Sequence, residues 1–197
     1  MPAPHGLPDP VAGAAAAAWP PGGTPLHLRP LASDDRERLA AAFAALSERT
    51  RYLRFLGPKP SLSARELTYL TEIDHRTHEA LVAVDPADGR LVAVARYAPV
   101  PDEPGTADFA VVVADEWQGR GVGLRVSGEL LRRAAANGVR RLTASTLDEN
   151  RVARGLLRRL GFRTVGFGGS VVDLELAFDG EHRVSVRERL HVRPSAA

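Results

Sequence analysis

The sequence contains no cysteine. Disulfides, thiolate metal sites and a cysteine nucleophile are therefore excluded. Lysine is nearly as scarce: Lys59 stands alone, and arginine carries the remaining positive charge. A pI near 9.5 thus coexists with a formal net charge of only +2. That balance lacks the concentrated basic face of a dedicated nucleic-acid binder, so no nucleic-acid partner is expected. No apolar run approaches the ~20 residues of a membrane span, so no membrane partner is expected either. The stretch "AGAAAAAWPPGG" near the start is short, and no Lys or Arg precedes Arg29. The positive flank of a secretion signal is missing. Together these absences point to a cytoplasmic protein.

What is present suits one globular domain: 44% apolar and 25% charged residues in 197. Residues 1–24, rich in Pro, Ala and Gly, read as a flexible leader to a domain over 25–197. "LHLRP" alternates like a short strand. "SDDRERLAAAFAAL" reads as a helix capped by Ser33 or Asp34, with Leu39, Phe43 and Leu46 as its apolar stripe. "SERTRYLRFLGPKP" suggests a helical turn stopped at Gly57-Pro58. "SARELTYLTEI" carries Ser63 and Glu66 at capping-box spacing.

From residue 79 the pattern becomes β-like. "EALVAVD" and "RLVAVARYA" flank the turn signal "PADG". "ADFAVVVA" is apolar almost throughout and reads as a strand covered on both faces. A helix ending at Asn137-Gly138, the strand "VRRLTASTL" and a helix ending at Gly161 follow. Two more strands, "FRTVGF" and "SVVDLELAF", come next, and "HRVSVRERLHV" suggests an edge strand or a surface segment. Strand–helix–strand–helix–strand in this half implies an α/β fold.

Between the apolar strand and its helix lies "QGRGVG", with glycines at 119, 121 and 123. Peptide N–H groups at a helix N-terminus lack intrahelical partners and sit at the positive end of the dipole. Glycines let an anion approach them. A P-loop needs Gly-Lys-Ser/Thr, whereas Leu124-Arg125 follows Gly123. A dinucleotide fingerprint needs Gly or Ala where Leu124 stands, and an acid ~20 residues on, which "VRRLTAS" lacks.

The remaining pattern, Gln118-x-x-Gly121-x-Gly123, resembles the acyl-CoA diphosphate loop of the GCN5-related N-acetyltransferases. "ENRVARGLLRRLGF" is similar to that family's Asn-led helix, with Asn150, Ala153, Gly161 and Phe162 in step. Ser47, Thr50, Tyr52, Arg54, Phe55, Ile73 and Asp74 resemble a segment of the bacterial protein lysine acetyltransferases. The resemblance implies a mixed, mostly antiparallel sheet flanked by helices on both faces, with a splayed strand pair for acyl-CoA. It implies acetyl-CoA as co-substrate, no metal, and an amine acceptor such as a lysine of an acyl-CoA synthetase or another protein. A small amine is the alternative acceptor, and an acyl-CoA-binding module without turnover is the alternative function. A monomer or homodimer is expected. Relatives are often fused to nucleotide-binding domains, which a 24-residue leader cannot house, so built-in cyclic-nucleotide control is not expected.

By the same resemblance Asp108 takes the place of a glutamate base. Val111, Val112 and Val113 contact the pantetheine arm, and one of their N–H groups polarises the thioester carbonyl. Gln118, Gly119, Arg120, Gly121, Val122, Gly123 and Leu124 take the diphosphate. Asn150 contacts the arm or caps its helix. Leu157 occupies the position of a tyrosine acid found in many relatives. His75 and His78 stand three apart near acids, but no third metal ligand is evident, and an ordinary loop-to-strand junction explains them.

Overall fold

Alternating and helical periodicities resolve into seven strands and five helices in the computed structural model, which describes residues 25–178. Residues 1–24, expected to be a leader, and the segment "HRVSVRERLHV" lie outside the described residues. β1 (His27–Pro30) leads into a 3-10 turn (Ser33–Asp35) and three short helices: α1 (Arg36–Ala45), α2 (Glu48–Phe55) and α3 (Ala64–Thr71). Then come β2 (Glu79–Val84), β3 (Leu91–Pro99), β4 (Thr106–Val113), α4 (Val122–Ala136), β5 (Arg141–Leu147), α5 (Arg151–Leu160), β6 (Arg163–Gly168) and β7 (Val171–Ala177). No helix among the described residues is long and apolar enough to cross a membrane.

The strands form one sheet in the order β1-β2-β3-β4-β5-β7-β6. Every pairing is antiparallel except β4 with β5. Successive side chains on a strand point to opposite faces, so neighbours serve different cores. On β2, Leu81 packs with Phe109, Val126, Leu130 and Leu142 beneath α4 and α5. Its neighbour Val82 packs with Leu31, Leu39 and Leu91 beneath α1 and α3.

The start of α1 departs from the expected Ser33 or Asp34 cap. Ala32 takes the capping position of the 3-10 turn, and its N–H donates to Asp35 at 2.9 Å. The fully buried Asp35 carboxylate also accepts from Arg29 at 2.5 and 2.7 Å and from Arg38 at 3.1 Å. A distant arginine has thus recruited the second acid of "SDD". Burial pushes the Asp35 pKa up, but the hydrogen bonds from Arg29, Ala32 and Arg38 outweigh it and bring it to about 2. Its folded pKa is therefore depressed. The stabilisation is complete above the unfolded value of ~3.9 and is lost as pH falls through about 2. Asp35→Ala is expected to cost about 3 kcal/mol in urea unfolding at pH 7, and less as the titration is carried into acid.

α2 runs two full turns and reverses at Leu56 (φ 58°), one residue before the expected Gly57 stop. Pro58 disfavours a helical Gly57, and the earlier reversal lets Gly57 N–H close onto Tyr52 O at 3.1 Å. α3 follows its sequence signal: Ser63 Oγ accepts from Glu66 N–H, and Glu66 returns to Ser63 N–H. Glu66 also pairs with Lys59.

The feature that positions the site is the brevity of the β4–β5 pairing. It covers only Thr106↔Arg141, Ala107↔Leu142 and Asp108↔Thr143. Beyond Asp108, β4 stays with β3 as far as Val113, and β5 stays with β7 as far as Leu147. The two central strands therefore diverge. β4 is accordingly covered on both faces only near its start, whereas Ala110 to Val113 are half-buried.

Candidate active site

Hydrogen-bond parity fixes which groups of β4 face the gap. Ala114 N–H donates to Val92 O of β3 at 2.8 Å, whereas Gly105 O accepts from Arg141 N–H of β5. Main-chain groups of even-numbered residues thus point to β3 and those of odd-numbered residues to β5. Past Asp108 there is no β5 partner, so Val111 and Val113 present their peptide groups to the opening. Val112, grouped with them on sequence grounds, turns its peptide groups to β3. The gap is bordered by a strand edge inside the sheet.

The glycine loop closes one end of this gap. Gly119 (φ 73°) and Gly121 (φ 80°) adopt left-handed conformations, and a Cβ built on either would meet nothing within 4 Å. Their lack of side chain serves conformation and open space, not packing. Gly123 differs: a Cβ there would stand 3.3 Å from Leu156 and 3.4 Å from Val113, so it lets α4 approach β4 and α5. Among the described residues, no peptide N–H from Gly119 to Leu124 has a backbone acceptor. The first that does is Arg125, which donates to Gly121 O at 3.1 Å. Six N–H groups at the head of a 15-residue helix are thus free to meet an anion.

Side chains around the loop hold it in place. Gln118 Nε2 donates to Val113 O at 3.1 Å and to Thr50 Oγ1 at 3.3 Å, which ties the loop to the end of β4 and to α2. Asp115 accepts from Ser47 N–H, Ser47 Oγ and Thr50 Oγ1 at 2.6–2.9 Å, joining the α2 N-terminus to the same turn. Trp117 is buried beside the loop, and the Arg120 guanidinium lies 5.2 Å from its ring centroid.

Asp108 occupies the point where β4 and β5 part. Its side chain reaches solvent, yet surrounding protein desolvates the carboxylate and raises its pKa. The charge of Arg54 opposes the shift, as does a long hydrogen bond from Thr143 Oγ1 at 3.4 Å. A carboxylate raised in this way is a better proton acceptor than a free aspartate.

Asn150 caps α5, its Oδ1 accepting from Ala153 N–H at 3.1 Å. Asn150→Ala is expected to lower stability by ~1 kcal/mol in thermal unfolding. If capping is its whole role, calorimetry will give the wild-type acetyl-CoA affinity; a weaker Kd would add an arm contact. Leu157 is buried in the core.

His75 and His78 go to separate structural uses. His75 Nδ1 pairs with the buried Glu79 at 2.8 Å, and Arg133 holds the other Glu79 oxygen at 3.2 Å. His78 packs against Tyr69 with ring centroids 5.1 Å apart and the ring planes tilted by 42°. Among the described residues no group of three His, Asp or Glu could hold a metal ion.

Strands that part above a glycine loop suit an extended thioester carrying a diphosphate. Residues 42–162 match the pattern of the acetyltransferase (GNAT) family. The chain belongs to the GNAT family. As a GNAT acetyltransferase it uses acetyl-CoA as co-substrate. This GNAT chain is 37% identical over 137 residues to acetyltransferase PA5475 of Pseudomonas aeruginosa, covering 68% of this chain and 73% of that one. It is 34% identical over 135 residues to acetyltransferase Pat of Mycolicibacterium smegmatis, covering 68% of this chain but only 40% of the relative. Its fold superposes on the GNAT domain of S. lividans PAT with a TM-score of 0.72 at 29% identity, covering 78% of this chain and 90% of that one.

Two features of this GNAT site escaped the sequence pattern. The Ser47–Thr50–Asp115–Gln118 bracket joins residues up to 71 positions apart. Arg96 is buried on β3, and its only sequence signal was a charge interrupting the run "LVAVARYA".

Proposed function

We propose that the chain transfers the acetyl group of acetyl-CoA to a primary amine, with Asp108 as the general base. The observation that carries this reading is the row of free N–H groups from Gly119 to Leu124 at the mouth of the β4–β5 gap. Those groups would take the diphosphate, with Arg120 adding charge beside them. The facing edge at Val111 and Val113 would take the pantetheine arm, and one of those two N–H groups would polarise the thioester carbonyl.

An alkylamine of pKa ~10.4 is almost wholly protonated at neutral pH, and freeing its lone pair costs roughly 4–5 kcal/mol at pH 7. Asp108 offers a carboxylate of raised pKa for that proton. It is one methylene shorter than glutamate, and its solvent-reached position suits a bridging water. Leu157 is apolar and buried, so it supplies no proton to the departing thiolate. With a thiol pKa near ~8.5, that group leaves without help and takes its proton from water.

The resemblance of the Ser47–Asp74 segment to protein lysine acetyltransferases supports a lysine ε-amine as acceptor. One observation favours a second acceptor class, an amine that carries a carboxylate: Arg54 and Arg96 stand on the Asp108 side of β4, and among the described residues neither is hydrogen-bonded or ion-paired to a carboxylate. Release of CoA thiol from acetyl-CoA, measured with a lysine peptide, a polyamine and free amino acids, tests the reading. Amine-dependent release is expected. Tight acetyl-CoA binding with no release on any amine would make the protein a binding module.

A further inference from the structure

Between α1–α3 and the face of β3 and β4 that carries Asp108 lies a pocket of about 80 Å³. Leu39, Phe43, Phe55, Leu70, Val94 and Val112 give it an apolar wall. Two guanidinium groups, Arg54 and Arg96, break that wall. Arg96 is 93% buried, its relative exposure being 7%. Its Nη2 donates to Leu70 O at 2.6 Å, but its Nε and Nη1 are buried without a partner among the described residues. Arg54 makes no hydrogen bond or ion pair within the described residues; its guanidinium lies 5.0 Å from the Phe55 ring centroid. His78 Nε2 is also buried without a partner.

These groups burden one another. Burial, and then the charge of Arg54, lower the Arg96 pKa to about 10. Burial, and then Arg96, lower that of His78 to about 4. Charged donors buried without acceptors cost a fold dearly, and native proteins seldom retain them without a ligand or a chemical use. Within the described residues the one carboxylate that acts on Arg54 is Asp108. That carboxylate is already committed to the amine in the reading above.

We propose that Arg54 and Arg96 form the carboxylate-binding end of an acceptor pocket, and that the acceptor is an amino acid with an apolar side chain. The inference rests on Asp108 facing the acceptor amine. Arg96 lies opposite Ala110, which is two residues along the same face of β4 from Asp108. Two residues of strand span about 7 Å, a distance that one small zwitterion bridges with hydrogen bonds at both ends. The hydrocarbon wall receives the side chain. In the transfer, the ammonium gives one proton towards Asp108, and the nitrogen bonds to the acetyl carbon as its bond to sulfur breaks. The second nitrogen proton is lost as the thiolate gains one from water.

The test compares L-leucine with L-leucinamide in CoA release by the full chain, and 4-methylpentanoate with 4-methylpentanamide in calorimetry. The amide's amine is less basic and loses its proton more readily, so the comparison is biased against the carboxylate. Leucine is expected to exceed leucinamide in kcat/KM by about tenfold or more, as loss of a charge-assisted hydrogen bond implies. Arg54→Met should bring that ratio close to one, and 4-methylpentanoate should bind where its amide does not. Equal kcat/KM values for leucine and leucinamide in the wild type overturn the inference, whether or not the variant folds. Efficient transfer to a lysine peptide with no carboxylate discrimination overturns it while leaving acetyl transfer intact. Carboxylate binding without transfer to any amine keeps the anion site and overturns the catalytic reading on which the amino-acid assignment rests.

Discussion

Asp108→Asn is expected to reduce kcat by roughly two to four orders of magnitude while leaving acetyl-CoA affinity unchanged. Asparagine keeps the shape and removes the proton acceptor, so the loss falls on amine activation alone. The acidic limb of the wild-type kcat/KM profile should rise through the Asp108 pKa, which lies above the ordinary carboxylate value. The same shift fixes the sign for stability. A carboxyl whose folded pKa is raised contributes stability that is full below the unfolded value and is lost as pH rises through the folded one. Replacing it with a neutral amide at pH 7 should therefore not lower the melting temperature. An inactive variant with undiminished Tm would mark Asp108 as a residue kept for chemistry. Unchanged turnover would remove it from the mechanism.

Gly121→Val should weaken acetyl-CoA binding by roughly 10- to 100-fold in calorimetry. Gly121 is left-handed at φ 80° and caps α4, a conformation in which a β-branched residue is an outlier. Relaxing to negative φ would reorient the free N–H groups at the head of α4. Holding the native angle would cost ~1–2 kcal/mol of strain and fill the open space with a side chain. With the diphosphate held at this loop, as proposed, both routes would act on it, and kcat at saturating acetyl-CoA should change far less than KM. An unaltered Kd would show that the anion is held elsewhere.

Local signals in the sequence read well. Ser63 and Glu66 announced the start of α3, Gly161 announced the end of α5, and the glycines of "QGRGVG" announced an open helix mouth. In each case the residues that determine the geometry lie within a few positions of one another. What stayed hidden depends on remote partners. Asp35, not Ser33 or Asp34, organises the α1 entrance because Arg29 reaches it from β1. Gln118 carries the family pattern, yet its side chain spans to Val113 O and Thr50, a use that only the fold reveals. The apolar run of β4 promised a strand covered on both faces, whereas the divergence from β5 and the adjoining pocket leave its second half partly open. Arg54 and Arg96 are 42 positions apart and share a pocket only because α2 lies over β3 and β4.

Strand edges usually lie on the perimeter of a sheet, where they invite pairing with foreign chains and must be blunted by charge or proline. Here the unpaired length of β4 is flanked by β3 on one side and walled by β5 on the other. An intruding strand needs about 4.8 Å to each neighbour, a constant spacing that two diverging strands cannot offer along its length. A slim linear molecule with amide groups along its length can satisfy the same donors and acceptors. The architecture thereby turns an aggregation hazard into a width filter.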